Sequence, residues 1–253
     1  CLRPGLAKNT YGTGCFMLRN TGSEAIKSGH GLLTTVAYKL GPKAQAAYAL
    51  EGSVAIAGAA VQWLRDNLGI ISEASQINEL AASVPDTGGV YIVPAFSGLF
   101  APYWRPDARG VIVGITQFTN KAHIARAVFE ATCFQSLEVL NAMDADVGSS
   151  GSTHSMTALR VDGGMTKSDL LVQLQADVLG IPTARPEMRE TTALGAAIAA
   201  GLAVGFWKLT PDGTSVTGIT RSCNSFMPTT TPEERQSRLA RWKMAVDRSL
   251  NWV

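Results

Sequence analysis

The stretch Asn9-Thr-Tyr-Gly-Thr-Gly-Cys-Phe-Met-Leu18 contains two short strand-like segments separated by Gly12-Thr13-Gly14. Turn geometry alone accounts for this pattern, because glycine adopts positive φ at little cost and hairpins require it. A second interpretation is a phosphate-binding loop, in which backbone N–H groups and the Thr13 hydroxyl form a concavity for an anion. The threonine between the glycines favours the second interpretation, but this segment by itself leaves both open.

Strand and helix patterns follow one another along the rest of the chain. Strand patterns are predicted by their β-branched and alternating residues at 32–38, 46–50, 90–95, 111–116 and 158–161. Helical periodicity and caps predict helices at 53–67, 75–83, 120–143, from the turn after 162 to Gly180, at 193–204 and from Thr231. Strands that come first and then alternate with helices predict an α/β domain with a mixed sheet flanked by helices. A Ser/Gly-rich connector is expected at 148–155.

Composition and charge exclude several classes of protein. With 253 residues, 46% of them hydrophobic, the chain is long enough to bury a core. A formal net charge of +2 without long charged runs gives no sign of a nucleic-acid or anionic-membrane partner. The most apolar run, 193–207, is too short for a membrane span, which needs about 20 residues. We therefore expect it to be a buried helix.

The cysteines and histidines show no metal or disulfide pattern. The four cysteines are widely separated and form no CxxC motif, and the three histidines share no ligand spacing. A reducing compartment is therefore expected, either the cytoplasm or a reducing organelle, and the protein is not expected to be secreted. The chain opens on Cys1 without an initiator Met or signal sequence, so we expect residue 1 to be an internal position of a longer protein.

A second glycine turn, Asp162-Gly163-Gly164, follows a short buried strand and opens a helix. Asp-Gly-Gly is a common turn sequence, so the motif alone is weak. Its position after a strand favours a ligand-binding role, because ligands of α/β sheets bind in the crevice at the carboxyl ends of the strands. Helix N-termini there favour negative or polar groups.

Gly58 and Gln62 lie four residues apart and so share one helix face. A glycine inside a helix costs roughly 1 kcal/mol relative to alanine, so the close approach of a flat ligand is one explanation for Gly58. Close helix packing explains it equally well. Gln62 could bond a ribose or a base edge, or could simply face water.

Together these segments resemble the glycerol kinases, a branch of the carbohydrate kinase family within the actin-like ATPases. The resemblance runs in consistent order from about residue 7 to residue 207 and weakens beyond. It is carried by Asn9-Thr-Tyr-Gly-Thr-Gly-Cys-Phe-Met-Leu18, Ala49-Leu-Glu-Gly52, Gln62-Trp-Leu-Arg65, Pro94-Ala-Phe96, Ala101-Pro-Tyr-Trp104, Gly110-Val-Ile-Val-Gly-Ile115, His123-Ile-Ala-Arg-Ala-Val-Phe-Glu130, Leu159-Arg-Val-Asp-Gly-Gly164 and Thr192-Ala-Leu-Gly-Ala196.

The resemblance implies an actin-like, ribonuclease-H-like fold of two lobes with ATP between them. Residues 1–253 would form only the C-terminal, nucleotide-binding lobe. The resemblance places the Thr13 loop at the terminal phosphates and Phe16 against the carbon side of glycerol. Ser168 stands where the family usually has an asparagine that contacts adenine, so that contact is in doubt. The full set of implied nucleotide-binding residues is Gly12, Thr13, Gly14, Gly58, Gln62, Gly163, Gly164 and Ser168.

The implied reaction is the phosphorylation of glycerol by MgATP to give glycerol 3-phosphate and ADP. In the family the catalytic aspartate, the glycerol-binding Arg-Glu pair and the metal-organising aspartate precede the segment that corresponds to Cys1. We therefore expect no catalytic residue and no metal ligand here, a Mg²⁺ site organised mainly by the N-terminal lobe, and an inactive isolated segment. Expected partners are ATP or ADP, glycerol and that lobe, and a homodimer is a possible assembly.

Two alternatives keep the fold but change the function. The chain could be the same lobe of a kinase for another polyol or sugar, such as xylulose or gluconate, although Phe16 suits a small carbon backbone. It could also be a non-catalytic actin-like module that senses nucleotide. Ser168 and the absent catalytic base favour that second alternative, whereas a truncated chain explains the missing carboxylates more simply.

Overall fold

A seven-stranded mixed sheet forms the centre of the computed structural model, which describes residues 1–41, 43–150, 156–210, 215–219 and 222–253. The strands are β1 (Ala7–Tyr11), β2 (Cys15–Gly22), β3 (Leu33–Tyr38), β4 (Ala47–Val54), β5 (Tyr91–Val93), β6 (Val111–Val113), β7 (Leu159–Asp162), β8 (Thr183–Pro186) and β9 (Cys223–Phe226). The helices are α1 (Gly58–Asp66), α2 (Ile77–Ala82), α3 (Lys121–Ser149), α4 (Asp169–Leu179), α5 (Thr191–Ala203) and α6 (Pro232–Arg248). The sheet order β3-β4-β2-β1-β7-β8-β9 confirms the predicted mixed sheet flanked by helices, while β5 and β6 pair separately.

Strand β1 occupies the position that decides where the site lies. It pairs antiparallel with β2, with Thr10 opposite Phe16, and parallel with β7, with Thr10 opposite Asp162. The turn after β1 and the turn after β7 therefore emerge side by side at one edge of the sheet. That edge is where α/β proteins place ligands.

The two faces of the sheet differ in how completely they are covered. In β2 the alternate residues Cys15 and Met17 are buried on the side where α3 packs, whereas Phe16 between them is 51% exposed. On the α3 side, the rings of Phe134 and Trp242 stack with centroids 5.3 Å apart and join α3 to α6. The hydrophobic core therefore lies between the sheet, α3 and the surrounding helices, and the opposite face is more open.

Several predicted helix ends are confirmed by their caps. Asn120 accepts a hydrogen bond from the N–H of Ala122 and begins α3, and Thr231 forms a capping box with Glu234 at the start of α6. Gly180 ends α4 in the left-handed conformation, as glycine at this position commonly does. Within the predicted connector, residues 148 and 149 belong to α3, and residues 151–155 lie outside the described part of the chain.

The prediction that a helix begins at residue 53, with Ser53 as its cap, is wrong. Strand β4 continues to Val54, because its ladder with β2 extends to the pair Cys15 and Val54. The helix α1 begins only at Gly58, with Ala57 as its N-terminal flanking residue. Strand pairing with a neighbour distant in sequence therefore overrides the local capping signal.

The prediction that the most apolar helix is buried is also wrong for this chain. Of the 13 residues of α5, all within the described ranges, only Gly201 is buried. Val204 and Phe206, just after the helix, are 81% and 76% exposed. Among the helices that the structure describes, none is both long and apolar enough for a membrane span. The described residues therefore leave the alanines of α5 exposed, while Leu194, Ile198 and Leu202 are half-buried.

Candidate nucleotide-binding site

The two glycine turns predicted from the sequence are in direct contact. Gly163 follows β7 with φ of +92°, and a Cβ at this position would lie 2.4 Å from the carbonyl oxygen of Tyr11. No side chain fits at that distance, and L-residues rarely adopt that φ. Gly163 is therefore required by the close approach of the end of β1, immediately before the Gly12 turn.

Helix α1 rests its N-terminus on the hairpin. The N–H of Gly58 donates to the carbonyl of Gly12 at 3.0 Å, and the N–H groups of Ala57 and Ala59 donate to the carbonyl of Thr13 at 2.9 and 3.0 Å. A Cβ on Gly58 would lie 2.5 Å from the Gly12 carbonyl oxygen. Close backbone packing is therefore sufficient reason for glycine at position 58. The first amides of α1 satisfy the hairpin carbonyls and are not available to an anion.

Within the hairpin itself, the donors left for a ligand are concentrated on Thr13. The N–H of Gly12 donates to the carbonyl of Gly14 at 2.8 Å, so this amide is already used. Gly14 is required for another reason, since a Cβ there would lie 2.3 Å from the carbonyl oxygen of Val54. Thr13 is exposed, and within the described ranges neither its N–H nor its hydroxyl meets an acceptor. Both Thr13 groups remain free to bind an anion.

The turn after β7 provides an open surface beside α1. Gly164 is exposed, and a Cβ added there would meet no atom within 4 Å. Gln62 lies one helical turn after Gly58 and is also exposed. The Met165 sulfur lies 3.4 Å from the Cβ position of Gly58, which joins α1 to this turn. A flat ligand could therefore lie against backbone here, with the Gln62 amide at its edge.

Ser168 has a structural role in this chain. It is only 5% exposed, and its Oγ accepts the N–H of Leu171 at 3.1 Å as the N-cap of α4. Serine is among the preferred residues for such a cap. The side chain predicted to face adenine is thus used to begin the helix that follows the glycine turn.

Phe16 lies on the open face of the sheet, near the hairpin. It pairs with Thr10 on one side and Ser53 on the other, so the three side chains share that face. Half of the Phe16 side chain is exposed, unlike its neighbours Cys15 and Met17 on the core face. This apolar ring is therefore available to the carbon face of a ligand that enters beside Thr13.

Of two charged residues in this region, the sequence interpretation missed Lys8 and named Asp162 only as the first residue of the glycine turn. Lys8 donates to the Thr10 hydroxyl at 2.7 Å, and burial lowers the pKa of its ammonium group, an effect that the charges of Asp162 and Glu51 oppose. Asp162 is 6% exposed and accepts a hydrogen bond from the hydroxyl of Thr191 at the start of α5. Strand alternation could have placed Lys8 and Thr10 on the face of Phe16, but only the parallel pairing of β1 and β7 brings Asp162 beside them.

Chemically, this region offers donors, a cation and an apolar ring, and its carboxylates within the described residues include Asp162 and Glu51, whose charges both act on Lys8. Asp162 is the acidic residue of the turn, and it is buried against Thr191. Within the described ranges, no group of three or more His, Cys, Asp or Glu residues could hold a metal ion. The four cysteines are free thiols. The arrangement suits binding of an anionic ligand with a flat ring.

Similar structures are known at the level of the whole chain. The crystal structure of Plasmodium falciparum glycerol kinase with ADP superposes with a TM-score of 0.88 at 38% identity and covers 98% of this chain and 48% of that one. A xylulose kinase of Lactobacillus acidophilus superposes with a TM-score of 0.75 at 20% identity, covering 96% of this chain and 46% of the other. The second likeness concerns the fold alone.

Sequence relatives match along the full chain. A glycerol kinase of Nocardia farcinica is 58% identical over 253 residues, which are 100% of this chain and 50% of that protein. One of Arabidopsis thaliana is 60% identical over 252 residues, covering 98% of this chain and 48% of that protein. The chain thus spans about half the length of these relatives. The model of the FGGY family of carbohydrate kinases, C-terminal domain, matches residues 7–204, and the chain belongs to this family.

Proposed function

We propose that this chain is the nucleotide-binding lobe of a glycerol kinase, which transfers the γ-phosphoryl group of MgATP to glycerol. The observation that carries the proposal is the identity of 58 to 60% to glycerol kinases over essentially the whole chain. The geometry supports it, since the glycine hairpin, the N-terminus of α1 and the second glycine turn converge at one edge of the sheet. Such an edge is the usual ligand site of an α/β fold.

In this proposal each part of the site takes one part of the substrates. The N–H and hydroxyl of Thr13 hold the terminal phosphates, and Gly12 and Gly14 give the hairpin its shape. Gly58, Gln62 and the turn at Gly163 and Gly164 take the ribose and base, while Ser168 begins α4 behind them. Phe16 contacts the carbon side of glycerol. Phosphoryl transfer depends chiefly on such positioning and on electrostatic stabilisation.

The proton acceptor and the metal site belong to the other half of the enzyme in this proposal. Mg²⁺ is usually bound by one or two carboxylates together with the nucleotide phosphates. The one acidic side chain of the turn, Asp162, is buried and bonded to Thr191, so the residues described here do not fit a Mg²⁺ site. We therefore assign the chain the binding and orientation of nucleotide and polyol, and no step of proton transfer.

The exposed apolar helix supports a partner lobe. Helix α5 consists of Thr-Thr-Ala-Leu-Gly-Ala-Ala-Ile-Ala-Ala-Gly-Leu-Ala, yet its alanines are exposed and Leu194, Ile198 and Leu202 are only half-buried. Soluble proteins rarely leave a contiguous apolar surface of this kind open, because burial of apolar area stabilises them by about 25 cal/mol per Å². We propose that the N-terminal lobe of the same protein covers α5, which the Asp162–Thr191 bond links to the nucleotide site.

The test is a coupled ADP-release assay on the full-length protein, with residues 1–253 alone as the comparison. We expect glycerol-dependent turnover by the full-length protein and none by the isolated segment. A panel of polyols and sugars, including xylulose and gluconate, would identify a different substrate. ADP binding without turnover on any acceptor would instead favour a nucleotide sensor and contradict the kinase proposal.

A further inference from the structure

A buried hydrogen bond joins the hairpin to α4. Tyr11 is the last residue of β1, immediately before Gly12, and its side chain is 1% exposed. Its hydroxyl donates to Oε1 of Gln175 on α4, which is also 1% exposed. Burial raises the pKa of Tyr11 well above its usual value, so the hydroxyl stays protonated and remains a donor. The bond therefore persists over the whole physiological pH range.

The same glutamine is fixed at its other end. Its Nε2 donates to the carbonyl of Cys133 on α3 at 3.3 Å. A side-chain amide that uses both its carbonyl and its NH₂ group in a buried site has one orientation only. The end of β1 is thus tied, through Gln175, to both helices that pack beneath the sheet.

The backbone of Tyr11 makes a second connection, to the other glycine turn. A Cβ on Gly163 would lie 2.4 Å from the carbonyl oxygen of Tyr11 and 2.9 Å from its nitrogen. That turn leads through Ser168 into α4, the helix that carries Gln175. The backbone of Tyr11 therefore contacts the turn at Gly163. Its hydroxyl is bonded to α4, the helix that follows this turn.

We propose that the hydrogen bond between Tyr11 and Gln175 sets the separation of the two glycine turns, and so matches the site to the length of a nucleoside triphosphate. The inference rests on the proposed function. Tyr11 and Gln175 are positioning residues, since both are buried beneath the site and do not line it. A tyrosine that merely fills the core would affect stability alone, whereas a positioning tyrosine affects the nucleotide constants in addition.

The experiment compares two Tyr→Phe variants of the full-length protein. Tyr11→Phe removes the bond to Gln175, and Tyr103→Phe, the matched control, removes a tyrosine bond to the buried Glu138 of α3. For Tyr11→Phe we expect the Kd for ADP and the KM for ATP to rise about tenfold, the size of one lost buried hydrogen bond, with the KM for glycerol unchanged. For Tyr103→Phe both nucleotide constants should stay at the wild-type value.

A double variant, Tyr11→Phe with Gln175→Leu, separates position from stability. Removing both partners leaves neither side chain of this pair unsatisfied, but the Cys133 carbonyl loses its bond from Gln175, so thermal stability should recover in part relative to Tyr11→Phe while ADP affinity stays low. The inference is overturned if ADP affinity is unchanged in Tyr11→Phe, if it falls equally in both Tyr→Phe variants, or if the double variant regains it. A wild-type protein that binds no ADP would overturn the proposed function itself, independently of these variants.

Discussion

Glu138 gives this protein a pH-dependent stability that can be worked out from the structure. The residue lies on α3, is 6% exposed and accepts a hydrogen bond from the hydroxyl of Tyr103. Burial raises the pKa of the carboxyl from 4.5 to about 7, against the opposing effect of the Tyr103 bond. The folded protein therefore holds this proton more tightly than the unfolded chain does.

The sign and size of the change in unfolding free energy follow from the linkage between protonation and folding. Since the folded pKa is the higher one, the stabilising contribution is fully present below pH 4.5 and is lost as the pH rises to about 7. A difference of roughly 2.5 pKa units corresponds to about 3 kcal/mol in the free energy of unfolding. Glu138→Gln keeps an acceptor for Tyr103 but has no proton to lose, so it should escape this decline.

The measurement is urea unfolding of wild type and Glu138→Gln at several pH values between 4.5 and 8. We expect the difference in unfolding free energy to move by about 3 kcal/mol in favour of the variant over this range. Glu79→Gln, at an exposed glutamate of α2, controls for the loss of one negative charge. A difference that stays constant with pH would show that folding does not raise the pKa of Glu138, which contradicts the expected proton binding.

Three further results are expected. Gly163→Ala should unfold the protein or lower its stability severely, because its Cβ would meet the Tyr11 backbone. Gly164→Ala, in contrast, should keep the melting temperature and weaken ADP binding in a titration. Equal losses of melting temperature in the two variants would contradict the geometry. Thr231→Ala should lower the unfolding free energy by about 1 kcal/mol in urea titrations, since it removes the N-cap of α6, and an unchanged midpoint would refute that role. Ellman's reagent should modify the exposed Cys223 in the native protein. Burial raises the pKa of Cys133 well above its usual value, so the reagent should modify this thiol only after unfolding. Rapid labelling of Cys133 in the native protein would contradict its burial.

Local signals in the sequence were sufficient for the parts of the fold that local chemistry controls. The helix starts at Asn120 and Thr231 and the glycine end of α4 were predicted from neighbouring residues and are present. The predicted helix start at residue 53 was wrong, because the pairing of β4 with β2 involves residues far apart in the chain. The positions of β8 and β9 were likewise missed, since short strands carry little periodic signal.

The glycines of the site show the same division. Sequence spacing indicated that Gly12, Gly58 and Gly163 matter, but it could not distinguish close packing from ligand contact. The structure shows that Gly58 and Gly163 approach backbone atoms of the hairpin, while Gly164 faces open space. The assignment of Ser168 changes in a similar way, because its hydroxyl accepts a backbone N–H of α4.

By itself, the sequence determined most of the helices, the two glycine turns and the resemblance to glycerol kinases, because these depend on residue type and spacing along the chain. Only the tertiary structure decided that β1 and β7 lie side by side, that the amides at the N-terminus of α1 are used by the hairpin, and that α5 is exposed. The hydrophobicity of a helix determines how much free energy its burial contributes. Whether the helix is buried depends on which neighbouring parts of the folded protein pack against it.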